Sequence, residues 1–515
     1  MKKSFLILLL LSFCQLMQAA ESKACNTSNE NYCGSRTFFR PRSVIEDVSI
    51  FFSLNNYNNY RNYYGFHVNE ADSERINISK GTFYEKSVSP RGNDDCNKNV
   101  GTYFLPENKP AISIIQNGAN ADVNSLWLNV EAPTGSTYSS VLSLNPERQI
   151  FGGYFSYFQE FECLKGSWLE VDFAVYEARH KLHAKEVRIN NDVTGIVPGA
   201  ATALQYLQGG TNQLQYGKFL CDRNNVNFDD IQVKFGHNWF NCNQSAHLGL
   251  YGQLLVPIAP KPTAKYLFEP LVGRAHWGLG AGLNGAYKFY ETENHACVLM
   301  ADASYQYLFK SNELRTFDLT PNGQWSRYLL ATKPATTIDT FPLLNATTES
   351  VSVTPRGVVN FWAGLHFQKC DWHFEAGYNL WWRQAEKISL NNRGCGSTKG
   401  CTVSNVNGNV INGNIGIFAL DNICTPLTAS TATISDPTSA IVTDSTFIPV
   451  NISELNLASA AHPRTLTNKV YGSLAYDIRV YDRPLNMGIT GSYEFSKDRN
   501  AFNQWGILLT FDVQC

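Results

Sequence analysis

Past its first twenty residues the sequence contains no uninterrupted apolar run approaching the roughly 18 residues of a spanning helix, and its mean hydropathy is −0.24. A helical membrane protein is excluded. Charge is scarce too: Asp, Glu, Lys and Arg make up 17% of the residues, against roughly 25% in ordinary soluble domains. The net charge of −2 gives no electrostatic reason to expect nucleic acid as a partner. There is no G-x-S-x-G, no H-E-x-x-H and no Walker A pattern. The nearest approach to a catalytic dyad is His366 and His373 with Glu375, which the pattern puts beside a tight turn, so neither an enzyme nor a cofactor is expected. No two cysteines stand as C-x-x-C and no Cys/His grouping has zinc spacing, so no metal site is expected.

What is present begins with a leader. Lys2 and Lys3 precede a nearly continuous apolar stretch from Phe5 to Phe13, and small residues end it at Ala19 and Ala20. These are the parts of a secretory signal peptide over residues 1–20. The expected exported chain keeps twelve of the thirteen cysteines, and an even count in an oxidising compartment favours disulfides.

The strongest pattern lies between Val358 and Arg383. Val359, Phe361, Ala363, Leu365 and Phe367 alternate with Asn360, Trp362, Gly364, His366 and Gln368; after Lys369, Cys370 and Asp371, the alternation resumes with Trp372, Phe374, Ala376, Tyr378, Leu380 and Trp382. A strand changes face at every residue, so this is a β-hairpin with one apolar and one mixed face. Each arm has about ten residues, enough for a tilted strand to cross a bilayer, and Trp372 and Trp382 end the apolar stripe where a barrel places its aromatic girdles.

The pattern recurs. Further arms begin at Phe151, Leu169, Ile231, Leu248, Trp277, Leu299, Val470, Leu485 and Trp505, which brings the total to eleven. The arms pair through short turns, and long connections rich in Asn, Thr, Ser, Gly and Pro separate the pairs: 180–228, 257–275, 310–356 and 386–468. Such composition offers no buried face, although Trp325 to Leu330 is more apolar and is expected to pack on neighbouring loops, the alternative being a constriction folded into the lumen. Short turns at one end and long loops at the other match an outer-membrane barrel, whose short turns are periplasmic.

Residues 21–145 read as an N-terminal periplasmic or plug-like segment with the first strand or strands, and 146–515 as the main barrel. The Arg36, Arg40, Arg42 cluster is expected to lie in a solvated periplasmic segment, with an inward-folded plug as the alternative, and Val44 to Leu54 and Ser125 to Val130 are candidate strands. With the carboxyl end in the periplasm, an odd number of strands must precede Phe151. We expect an all-β, antiparallel up-and-down barrel of about 14 strands, with 12 as the alternative.

The signal, the alternating arms and the terminal strand resemble the porin-like outer-membrane β-barrel proteins of Gram-negative bacteria. The terminal aromatic usual there is absent, because the chain ends Phe511-Asp512-Val513-Gln514-Cys515. Its cysteine content looks more like the cross-linked major outer-membrane proteins of chlamydial and Legionella type. The resemblance implies outer-membrane lipid and the barrel assembly machinery as partners, and other envelope chains or a homo-oligomer as further ones.

Parity assigns Glu170, Asp172, Asp302, Glu375, Asp477, Glu494 and Asp512 to the inner face, with Lys234, Lys288, Arg383, Arg479 and the neutral His366 and His373. The acids outnumber the bases, so a weak cation preference is one reading and cross-lumen pairing the other. The expected function is passive diffusion of small hydrophilic solutes, the alternative being a disulfide-cross-linked structural or adhesive envelope protein without an open pore. Cys163, Cys242, Cys297, Cys370 and Cys515 fall at or beside the tight-turn rim, with Cys25 and Cys33 on the same side. All are disulfide candidates, as are Cys395, Cys401 and Cys424 in the longest loop.

Overall fold

The computed structural model describes residues 35–48, 76–88, 100–161, 164, 166–189, 194–195, 201–211, 213–243, 245–334, 340–391, 403–404, 410–411, 413–418, 428–436, 444, 446–480, 483–496 and 500–514. The leader, Cys25, Cys33, Cys163, Cys395, Cys401, Cys424 and Cys515 lie outside them, as does the side chain of Arg479.

Twelve antiparallel strands form a closed barrel, each bonded to the next in sequence and the last to the first: β1 (Ile76–Ser87), β2 (Glu147–Glu160), β3 (Ser167–Lys181), β4 (Ile231–Phe240), β5 (Ala246–Val256), β6 (Gly278–Glu291), β7 (His295–Leu308), β8 (Arg356–Lys369), β9 (Trp372–Arg383), β10 (Thr465–Val480), β11 (Arg483–Phe495) and β12 (Gln504–Gln514). All eleven arms read from the sequence are strands. The count of fourteen is corrected to its alternative of twelve, because the region before β2 supplies one barrel strand and not three. β1 escaped notice because its outward positions include Lys80, Thr82 and Lys86, which dilute the apolar stripe. Its register against β12 and β2 nevertheless closes the sheet.

A further strand, Arg223–Phe228, extends β4. It pairs with β3 from Arg223 opposite His180 to Phe228 opposite Val175, and pairing resumes with Gln232 opposite Asp172. Three residues, Asp229 to Ile231, therefore face two, which is a β-bulge. Asp229 N–H donates to Ala174 O at 2.9 Å, so the backbone ladder survives the extra residue.

Tight turns join β2 to β3, β4 to β5, β6 to β7, β8 to β9 and β10 to β11, all at one end. Cys370 and Asp371 alone form the turn between Lys369 and Trp372, with Cys370 at φ 51°. On β12, Trp505, Ile507, Leu509 and Phe511 are exposed while Gln504, Leu508, Thr510 and Asp512 are buried. Across the barrel this places Leu250, Leu279, Leu365, Leu474 and Ile489 outside. The outer face is thus an apolar belt. Aromatic residues edge it, with Trp372 against Tyr476 (centroids 4.8 Å apart) by the tight turns and Trp505 against Tyr84 (5.5 Å) towards the loops. Exposed apolar area on this scale is stable in lipid, where a closed barrel leaves no backbone group unpaired.

The long connections are not the coreless segments their composition implied. At the other end they fold into a cap with its own hydrophobic core, in which Trp127, Trp325, Tyr138, Tyr206, Phe104 and Leu344 are fully buried. Short sheets frame it, among them Ser311–Thr316 with Thr348–Thr354 and Lys387–Leu390. Trp325 packs at 5.9 Å from Phe219 and its indole donates to Phe104 O at 2.9 Å, so this stretch packs on neighbouring loops as expected. The apolar residues are spread over six connections, so no local window of sequence shows their common face. Ser125–Leu128, read as strand, is a 3-10 turn.

Candidate functional site: the barrel interior and its N-terminal segment

Residues 35–48 lie inside the protein, which corrects the expectation that the arginine cluster is solvated. Arg36, Arg40 and Arg42 are all buried. Ser35 and Arg36 N–H groups donate to Leu105 O and Tyr103 O in the cap at 2.9 and 3.0 Å. From there the chain enters the barrel, and Val44 to Val48 form a short helix instead of the start of a strand. Ser43 Oγ accepts from Glu46 N–H at 3.4 Å, as an N-cap residue does, and Asp229 at the β4 bulge accepts from Ile45 N–H at 3.2 Å. Val44, Ile45 and Val48 share a buried cluster with Tyr154, Tyr176, Trp362, Trp381 and Leu508 of the wall.

Charge fixes the segment as firmly as packing. Asp47 receives Lys469 of β10 and lies 3.2 Å from Arg42, which is 3.4 Å from Glu494. Lys469 also reaches Glu85 (3.4 Å) and Glu494 (3.6 Å). Glu46 pairs with Arg274 from the loop before β6, and Asn360 Nδ2 donates to Glu46 O at 3.1 Å. Nearer the cap, Arg40 bridges Glu313 and Glu386, each at 2.7 Å, and Arg315 binds the same two acids. Burial alone pushes Glu386 up, but Arg315 and Arg40 more than reverse this and hold it down at about 2. Glu313 is likewise held well below the usual range by Arg40 and Arg315 against its burial. His462, buried and beside Arg383, is pushed well below the ordinary imidazole value and stays neutral.

Most of the charges assigned inward by parity do point inward. Lys234 meets Glu170 at 2.6 Å and Asp172 at 3.3 Å, and Tyr251 donates to Asp302 at 2.8 Å. His366 lies 3.7 Å from Glu375 and His373 2.6 Å from Asp477. Glu494 joins the cluster that holds the N-terminal segment, and Asp512 is buried. Lys288 stands apart at the tight-turn rim, paired with Glu291, and Arg383 stands at the cap end, bonded to His462. Sequence reading missed Glu85, which lies on the unrecognised β1, and Lys469, one residue before the arm that was recognised. It also missed Glu46, Asp47 and Arg274, whose roles exist only when distant segments meet.

A cavity of about 30 Å³ is lined by Gln232, Lys234, Gln253, Asp302, Gln306 and Asn360, with Glu46 of the N-terminal segment on one side. That is space enough to hold water. Gly280 on β6 leaves no room for a side chain, since a Cβ there meets Gln253 Nε2 at 2.8 Å and Tyr305 O at 2.3 Å.

Among the described residues, Cys242, Cys297 and Cys370 carry free thiols, as does Cys221. Cys242, Cys297 and Cys370 therefore do not pair with one another. A closed antiparallel barrel with an apolar outer belt defines this chain as a β-barrel protein of the bacterial outer membrane. No family model and no curated protein matches the sequence. Solved structures similar to it include an outer-membrane channel of Pseudomonas putida F1 (10% identity, 88% of this chain and 100% of that one, TM-score 0.34). A Pseudomonas aeruginosa FadL homologue (10%, 86% and 89%, 0.25) and the Ralstonia pickettii toluene transporter TbuX (9%, 86% and 89%, 0.26) are also similar. At such scores the likeness carries no argument about solute or mechanism.

Proposed function

We propose that the protein is an outer-membrane channel for small hydrophilic solutes whose barrel is closed at rest by residues 35–48, with its tight turns in the periplasm and its cap outside. The carrying observation is the buried set Arg42, Asp47, Lys469 and Glu494, which ties this segment to the wall by ion pairs. The short helix of residues 44–48 packed against the inner wall supports a gated channel in place of a permanently open passive pore. The polar lining by Gln232, Gln253, Gln306 and Asn360 supports hydrophilic cargo rather than the toluene named for TbuX.

Planar-bilayer recording of the purified full chain tests this. The wild type is expected to be silent or to open rarely, and Asp47→Asn to open often. A steadily open wild type overturns the closed state. Silence of both at every voltage favours the second reading, a structural or adhesive envelope protein, which the separately cored cap and the exposed Cys242 and Cys370 thiols support.

A further inference from the structure

Register puts four inward positions in one row across the barrel wall. Lys234 on β4 lies opposite Gln253 on β5, Gln253 opposite Gly280 on β6, and Gly280 opposite Gln306 on β7. The glycine leaves a gap in that row. No side chain fits at its position, where a Cβ meets Gln253 Nε2 and Gln306 Cα, each at 2.8 Å, so two long amide side chains flank bare backbone. With Gln232, Asp302, Ser304 and Asn360 they line the cavity of about 30 Å³, and Glu46 of the N-terminal segment stands on one side of it.

Two of the amides on this wall are half-satisfied. Gln232 donates through Nε2 to Gln253 Oε1 at 3.1 Å, but its own Oε1 has no donor among the described residues, and Gln306 Nε2 has no acceptor among them. Both residues are more than nine-tenths buried. Buried polar groups are nearly always hydrogen-bonded, so the occupant of the cavity has to supply one donor and one acceptor. The terminal torsion of glutamine is soft, and each amide can turn to meet it. The charged groups on the same wall are already answered. Lys234 has Glu170 at 2.6 Å and Asp172 at 3.3 Å, Asp302 accepts from the Tyr251 hydroxyl at 2.8 Å, and Glu46 pairs with Arg274. An ion entering here would lose its hydration and gain no free counter-charge.

The geometry points to a binding subsite for a small neutral group that donates and accepts at once, a primary amide, whose N–H goes to Gln232 Oε1 and whose C=O takes the Gln306 Nε2 hydrogen. The cavity has room for about two water molecules, and one planar group of three non-hydrogen atoms fills the same space. Neutral amide-bearing compounds are then the class of hydrophilic solute that the channel proposed above favours. To that extent the assignment rests on that reading; the binding itself does not. Asn360, also on the cavity wall, donates to Glu46 O at 3.1 Å, so the occupant lies against the segment that closes the barrel.

The probes are formamide, formate and formamidinium, which share a planar shape and a single C–H proton and differ in charge. Saturation transfer from the full-length protein in detergent to that proton, read by NMR at constant ionic strength and neutral pH, measures their binding. Formamide is expected to bind saturably, and the two ions at least tenfold more weakly, because a site built to hydrogen-bond rejects an analogue that leaves its groups unpaired. Gln232→Met and Gln306→Met are each expected to weaken formamide binding about tenfold. Should either fail to fold, Gln306→Glu decides the matter: it keeps the shape and puts a carboxylate where the donor was, so it should lose formamide and gain formamidinium. A formamide signal that does not saturate means that water alone occupies the cavity and overturns the site, as does saturable binding that these variants leave unchanged. Equal binding of all three probes overturns the assignment to a neutral amide. Conductance plays no part, so a silent barrel that binds formamide refutes the channel alone, and a conducting barrel that binds none refutes the site alone.

Discussion

Lys469 on the inner face of β10 donates to Asp47 of the N-terminal segment, their side chains 1% and 4% exposed. Lys469 is also the cation shared with Glu85 and Glu494, so it holds three acids together. Lys469→Met is therefore expected to destabilise the folded protein by about 3–5 kcal/mol, the usual cost of breaking a buried pair and stranding charge. Asp47→Asn should cost less, since it relieves repulsion among the acids. The double variant should recover part of the loss, with a coupling of about 1–3 kcal/mol in unfolding experiments. Strict additivity would show that the two residues do not act through each other.

Glu349, in the cap strand Thr348–Thr354, has no ion-pair partner among the described residues, and burial raises its pKa to about 7. The folded state thus holds a proton that the unfolded state, at 4.5, has released. Stability is fully present below the unfolded value and falls as pH rises through 7. Glu349→Gln is expected to match the wild type near pH 4 and to exceed it at pH 8 by on the order of 1 kcal/mol, allowing for solvent near the group. A difference independent of pH between these values would refute this.

Glu386 has the opposite sign. Held at about 2 by its arginines, it contributes stability that is present above the unfolded carboxylate value and is lost as pH falls through 2. Glu386→Gln is expected to lower cap stability at pH 7 by about 3–5 kcal/mol, because Arg40 and Arg315 lose a shared buried partner, and the deficit should shrink on acidification. Protease protection of the loops against pH measures it.

Trp325 is fully buried in the cap core. Trp325→Ala is expected to cost about 3–5 kcal/mol there and to expose the long connections to protease. The barrel, whose ladder does not involve Trp325, should keep its heat-modifiable migration. Loss of both together would mean that cap and barrel fold as one unit.

Cys242 and Cys370 are exposed at the tight-turn end with free thiols. Native envelopes run without reductant are expected to show cross-linked species that Cys242→Ser with Cys370→Gly removes, glycine also suiting the positive φ at that turn. Monomer alone, with both thiols open to maleimide, would end the cross-linking proposal.

The eleven arms could be read from sequence because a strand facing lipid on one side and a polar interior on the other must alternate residue by residue, and that record is local. It also placed Glu170, Lys234, Glu375 and Asp477 on one face. The alternation of β1 was blurred by outward lysines, so the strand count rested on parity and exceeded the true number.

The sequence by itself determined the barrel, its tight turns and the inward parity of its charges. Only the tertiary structure decided that residues 35–48 enter the barrel, that six polar-looking loops share one core, and that Arg42, Arg274 and Arg383 meet at Trp381. Those outcomes depend on contacts between residues hundreds of positions apart, where burial and charge pairing act through space and leave no periodic trace along the chain.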